Sequence, residues 1–594
     1  MDASVHRYNL GVVGNCSFMA YIDTMANVRW LCFPRFDSPF IFGSLLDKNL
    51  GGEFSITPKE EKYENRQYYL KNTNILCTEF KTASGKFRVV DFAPRFYQFD
   101  RYYKPLMLVR KIEILKGRPI ITVRCNPVGN YGQIKPEVLI GSNHIRYLNI
   151  GNQVRLTTNI PVNTIIAEQS FVLTENKHLV FTYGIPLEAA LEETAERFLE
   201  KTKNYWADWI KTTSIPNIYQ EEIIRSALIL KLHQYEDTGG IIASGSTSLP
   251  EFDGSGRNWD YRYCWMRDTF YTLNAFNSIG HFEELEKYFH YIENIILNER
   301  SRIQPLYSIT GEKKITEQMI DLDGYNFNLP VRIGNDAYTH IQNDIYGQLL
   351  VSLLPIYNDH RLITGKKVKS FQIIKWLLER IDLTMNEPDA GLWEFRNLKQ
   401  FHCYTYLFHW AGSKAAVKIA KRIGNNELEN FALKLAIQAG QKIENCYHPE
   451  KAVYTQAIGN NNIDASCLHL ITMNYLDPNS EKAHLHLRVI EKELKTDQNL
   501  MYRYNHQDDF GKPHSTFLVC AFWYIEALAC VGRIDEAIKY LEHIFQYSNH
   551  LGLFSEDVGI DGSQWGNFPQ TYSHVGLMNA AFRIAKKMDR PIFL

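Results

Sequence analysis

The feature that most constrains the fold of this chain is a change of hydrophobic period near residue 187. Before it, short β-rich runs are separated by turn residues: VRWLCFPRF (28–36), KFRVVDFAP (86–94), LMLVRKIEIL (106–115), PIITVRCNP (119–127) and TIIAEQSFVL (164–173). HIRYLNIGNQVRLTT (144–158) carries Gly151 and Asn152 at its centre, a hairpin signal. From Leu187 to Thr212 the apolar residues recur at three- and four-residue spacing, which predicts a helix. Beyond it, helical spacing recurs near 219–236, 263–279, 281–299, 337–357, 370–385, 402–423, 426–446, 462–476, 481–494, 514–532, 534–547 and 571–587. Twelve helices with long connections, and no residue-level repeat of the kind a solenoid shows, suit six helical hairpins closed into a ring. The expected architecture is therefore an N-terminal antiparallel β-sandwich (1–186), a linker helix (187–215) and an (α/α)6 barrel (216–594).

Composition excludes several functions. With 65 Lys and Arg against 66 Asp and Glu, the chain lacks the positive charge that general nucleic-acid binding draws on. No stretch of about 18 apolar residues occurs, and the N-terminal MDASVHRYNLGVVGNC lacks a basic segment followed by an apolar run. The expectation is a soluble cytoplasmic protein that binds neither membrane nor nucleic acid. The ten cysteines are scattered, with no CxxC pair, so zinc ribbons and redox motifs lose their signature and reduced buried thiols are expected. Aromatics reach 13%, and flat rings with polar tips suit sugar faces, although most of them will be core.

Three loops carry candidate chemistry. RNWDYRYCWMRD (257–268) alternates aromatics with polar residues and ends in Arg267 and Asp268, a donor beside an acceptor that can grip a polyhydroxylated ligand. A structural ion pair at a helix start explains the same residues equally well. GLWEFR (391–396) holds Glu394 between Leu392, Trp393 and Phe395; a lone loop glutamate reads first as a solvated charge, but apolar flanks of this kind raise a carboxyl pKa if they desolvate it. SEDVGIDGSQWGNFPQ (555–570) offers Glu556 and Asp557, as a reactive acid, as caps or as cation ligands. GxSxG, GxxxxGK[ST] and HExxH are all absent. Two separated carboxylates beside aromatic loops remain, the pattern that glycoside hydrolysis requires.

These motifs, with VVGNCSFMAYID and VRWLCFPRFDSP in the N-terminal region, TSLPE, LPVRIGNDA and QNDIYG, follow one order along nearly the whole chain and resemble glycoside hydrolase family fifteen, the glucoamylase and prokaryotic trehalase family. The resemblance implies a β-sandwich followed by an (α/α)6 barrel, and an inverting hydrolysis that needs no cofactor or metal. It places the general acid on Glu394 and the general base on Glu556, with Asp557 the neighbouring alternative for the base. It puts Trp265, Arg267 and Asp268, with Tyr261 beside them, on the first sugar, and adds Trp393 and, near the leaving group, Arg503. The implied substrate is the non-reducing end of an α-glucan or oligosaccharide, as in a glucoamylase; the alternative is α,α-trehalose. A phosphorylase of related architecture fits less well, because both acids are retained. Departures from the family at His402 and Cys403 are expected to alter the leaving-group side, and Tyr338, four residues before Gln342, to reshape how longer glucans dock; PRFDSP (34–39) is the candidate by which the β domain would reach the site.

Overall fold

The computed structural model describes residues 5–299, 301–362 and 367–588, so the first four residues of the N-terminal stretch read above and the last six of the chain lie outside it. The β region is antiparallel throughout its paired strands, with a four-stranded sheet running Leu10–Gly14, Met19–Asp23, Val28–Cys32 and Phe40–Phe42. Beside it lies an eight-stranded sheet that includes Leu76–Lys81, Gly85–Phe92, Met107–Gly117 and Lys177–Thr182.

The two-residue period of these strands decides what each face covers. Leu76, Val89, Leu108 and Phe181 point into the sandwich core with Val13, Phe18 and Phe42. Their chain neighbours Cys77, Val90, Val109 and Val180 point the other way and pack against Ala195 and Phe198 of the helix Leu191–Lys211. The expected hairpin forms between His144–Leu148 and Val154–Thr158. One run departs from expectation: TIIAEQSFVL begins as the helical turn Val162–Ile166 and is extended only at Phe171–Val172. Burial of Val162 and Ile165 satisfies their hydrophobicity without a ladder, so tertiary packing overrides β propensity.

Among the described residues the second half supplies a helical segment for each of the twelve expected. Thr269–Ile279, Asp344–Asn358, Cys403–Ile423, His469–Thr472, Leu518–Cys530 and Thr571–Met588 each touch the next, and the last touches the first, which closes an inner ring. Gln220–His233, Phe282–Asn298, Lys367–Thr384, Asn426–Glu444, Glu481–Leu494 and Ile534–Phe545 back it from outside. The eighth segment is short, with one 3-10 turn, Ala465–Leu468, leading into His469–Thr472. Every residue of Leu518–Cys530 is buried, as a helix hydrophobic all round must be. No helix of the described residues is long and apolar enough to cross a membrane.

The two halves share one core, since Tyr8, Leu10, Trp30 and Phe36 join the same hydrophobic cluster as the barrel helices. The Trp30 indole donates to Gly245 O at 2.8 Å, and Arg262 donates to Ser38 O at 2.9 Å. Buried Arg95 pairs with Glu236 at 2.6 Å. PRFDSP therefore does not enter the cavity described below; it braces, from behind, the loop that does.

Candidate active site

One cleft on the barrel, with about 850 Å³ of empty space partly open to solvent, is lined by Tyr261, Trp265, Arg267, Asp268, Trp393, Glu394, Arg503 and Glu556. All eight residues singled out from sequence thus converge, from four loops up to 295 positions apart.

Arg267 and Asp268 sit at the start of helix Thr269–Ile279. Arg267 Nε donates to Asp268 Oδ1 at 3.2 Å, while Nη1 donates to Leu392 O at 2.8 Å and to Glu394 Oε1 at 2.9 Å. The aspartate does not cap its helix. Burial pushes its carboxyl up to about 6 against the pull of Arg267, with the charge of Glu394 adding to the rise.

Glu394 occupies a left-handed backbone conformation, φ 59°, a strained position for a glutamate and of a kind that clusters at functional sites. Its Oε1 receives Trp265 Nε1 at 2.7 Å, Arg267 Nη1 at 2.9 Å and Gln342 Nε2 at 3.3 Å. Here the structure corrects the sequence expectation of a raised pKa. Leu392 and Phe395 are buried, and the Trp393 indole turns to Asp464 at 2.7 Å. Burial still pushes Glu394 up, yet the charges of Arg267 and His340 and the hydrogen bonds from Trp265 and Arg267 outweigh it and hold the group below the ordinary glutamate value.

Glu556 stands in the opposite environment. It is buried, accepts from Tyr261 Oη at 2.7 Å and from the backbone N–H of Asn567 at 3.1 Å, and lies among other acids. Burial and the charge of Glu251 push its carboxyl up to about 7, against those hydrogen bonds and the charge of Arg503. Gly566, with φ 72°, lies behind it; a Cβ there would sit 2.6 Å from Glu556 Cβ and 2.7 Å from Oε2, so only glycine leaves room for this carboxylate. Asp557 points away from the lining, accepts from Ser515 Oγ at 3.0 Å, and is raised well above its usual range by burial and by Glu556. Of the two adjacent acids, Glu556 faces the cavity.

The rings of Tyr261 and Trp265 meet edge to face at 5.1 Å, one bonded to Glu556 and the other to Glu394. Each ring of the pair thus serves one of the two carboxyls. Arg503 forms a fork with Glu251, at 3.3 and 2.7 Å, next to Glu556.

Glu251 and His340 line the cleft without having been singled out. Glu251 ends the TSLPE motif, which was a signal for it; His340 carried none. Tyr338, His402 and Cys403 fall outside the lining: Tyr338 packs on the cluster that holds Trp265, and the other two are buried behind the Glu394 loop.

The model of glycosyl hydrolases family 15 matches residues 217–582, and that of a trehalase-like N-terminal domain matches residues 3–162. A trehalase from Thermoplasma volcanium is 31% identical over 98% of this chain and 93% of its own length. A trehalase from Mycobacterium tuberculosis is 28% identical over 95% of this chain and 87% of its own. Among solved structures, a bacterial glucoamylase complexed with acarbose superposes with a TM-score of 0.69 at 15% identity, covering 98% of this chain and 94% of that one.

Proposed function

The chain belongs to glycosyl hydrolase family 15, and on that premise we propose that it is an inverting α,α-trehalase with Glu394 as general acid and Glu556 as general base. The observation that carries the substrate is full-length similarity to trehalases of separate lineages, 28% to 31% identical across both halves of the chain. It favours trehalose over the glucoamylase-like substrate expected first, because likeness to a glucoamylase at 15% identity speaks to fold alone.

Arg267 and Asp268 hold the hydroxyls of the reacting glucose inside the cleft. Glu394 protonates the bridging oxygen while Glu556 takes a proton from a water that attacks the anomeric carbon from the opposite face. In the free enzyme Glu556, pushed up to about 7, holds a proton more readily than Glu394, held below the ordinary glutamate value, the reverse of what this step needs. Sugar hydroxyls that take donors from Arg267, and a ring that displaces water from Glu394, move the balance toward a protonated Glu394. The donors converge on its Oε1, which leaves Oε2 to carry the proton. Tyr261 and the Asn567 N–H in turn stabilise the Glu556 anion.

The test is a set of parallel incubations with trehalose, maltose and maltoheptaose, followed by NMR of the anomeric protons. Trehalose should be consumed at least tenfold faster than either glucan and release β-glucose from the attacked unit with α-glucose from the leaving unit in equal initial amounts. Faster turnover of maltose would restore the glucoamylase-like reading; α-glucose alone as the initial product would overturn inversion.

A further inference from the structure

Arg267 and Asp268 lie inside the cleft, their side chains 13% and 15% exposed, whereas the half-open rim around exposed Phe510 is built by three loops tied together. Asp508 accepts both terminal nitrogens of buried Arg257, at 2.9 and 2.5 Å, together with the Tyr504 hydroxyl, and Arg257 also donates to Gly511 O at 3.0 Å. Asp509 accepts the backbone N–H of Arg396 at 2.6 Å and Asn397 Nδ2 at 3.0 Å, two residues that follow Glu394 closely. Phe510 stands edge-on to Trp259 at 5.3 Å, and the Arg396 guanidinium covers both rings, 4.6 Å from Trp259 and 5.3 Å from Phe510. Arg257, Trp259, Arg396, Asp508, Asp509 and Phe510 all line the cleft, so this strap forms part of the wall rather than a distant surface.

We propose that the strap 505–512 is the length filter of the site, admitting an α-linked disaccharide and rejecting any substrate whose leaving group is longer than one sugar. The claim rests on the hydrolytic reading above. It follows from orientation: with the reacting glucose inside the cleft, the leaving group points to the rim, where a further sugar ring meets Phe510 and Arg396. Two carboxylate clamps hold the strap there. To admit a third ring it would have to break charge-assisted hydrogen bonds, which are about twice as strong as neutral ones.

Phe510 is 41% exposed, so Phe510→Ala is tolerated by the fold, and Asp509→Asn weakens one clamp while keeping its size. For the wild type and both variants, kcat/KM is measured on trehalose and on its trisaccharide extension by one α-1,4-glucose, and on maltose and maltotriose, with Tm as a control for folding. The wild type should favour each disaccharide over its trisaccharide at least 100-fold. Phe510→Ala should shrink that ratio at least tenfold, chiefly through KM for the trisaccharide, and Asp509→Asn should shrink it less. A wild type that cleaves both lengths alike overturns the filter, as does an unchanged ratio in a variant of unchanged Tm. Turnover of maltose without turnover of trehalose sinks the trehalase reading instead, and leaves the filter to be judged on the maltose pair.

Discussion

The two carboxylates of the cleft are the same residue type in opposite surroundings. Glu394 ends among donors and cations, Trp265, Arg267, Gln342 and His340, and titrates low. Glu556 ends beside Glu251 and Asp557 in a buried acid cluster and titrates high. The contrast teaches that a catalytic pKa here is set by what the other loops bring to the carboxyl. The flanking residues do not decide it: burial does push Glu394 up, but the charges of Arg267 and His340 and the hydrogen bonds from Trp265 and Arg267, all brought by other loops, outweigh it.

The sharpest break in the comparison removes one acid at a time. Glu394→Gln and Glu556→Gln should each cost about 10²- to 10⁴-fold in kcat on trehalose, the usual range for losing a positioned acid or base. The two are told apart with α-glucosyl fluoride, whose leaving group needs no proton. Glu394→Gln should retain much of its rate on the fluoride, and Glu556→Gln should lose it as fully as on trehalose. The reverse pattern would exchange the two roles, in line with the protonation of the free enzyme.

How much of this contrast was legible beforehand differs between fold and site. The period switch near 187 places the β and helical halves because core packing obeys local periodicity, and even the sheet's two faces can be read from alternate residues such as Leu76 and Cys77. The helical turn at Val162–Ile166 was hidden because its apolar residues serve either element. Tyr261, Trp265, Arg267 and Glu556 were legible through motifs. Pairings such as Arg257 with Asp508, 251 residues apart, have no local pattern; neither does the low pKa of Glu394, which depends on an arginine 127 residues away.

The pH profile of kcat/KM, which reports the free enzyme, gives a gentler test. Activity needs one proton on the pair. It is lost on the alkaline side as Glu556 gives that proton up near 7, and on the acid side, below the ordinary glutamate value, as Glu394 gains a second. Glu251→Gln removes the charge that raises Glu556 and frees Arg503 to stabilise its anion, so both effects lower that pKa. The alkaline limb should move down by about one unit, with the acid limb unmoved. An alkaline limb that stays in place would mean that burial alone raises Glu556.

Trp265→Phe probes the other wall and should give the smallest effect. The indole N–H donates at 2.7 Å to Glu394 Oε1 and so favours the charged form; without it the pKa of Glu394 rises. Arg267 and Gln342 still bind the same oxygen, so the rise should be small, that of one hydrogen bond among several. The acid limb of kcat/KM then moves up while the alkaline limb, set beside Glu556, stays. Glu251→Gln narrows the profile from one side and Trp265→Phe from the other. If Trp265→Phe moved both limbs, the Tyr261–Trp265 ring pair would be coupling the carboxyls rather than serving one each.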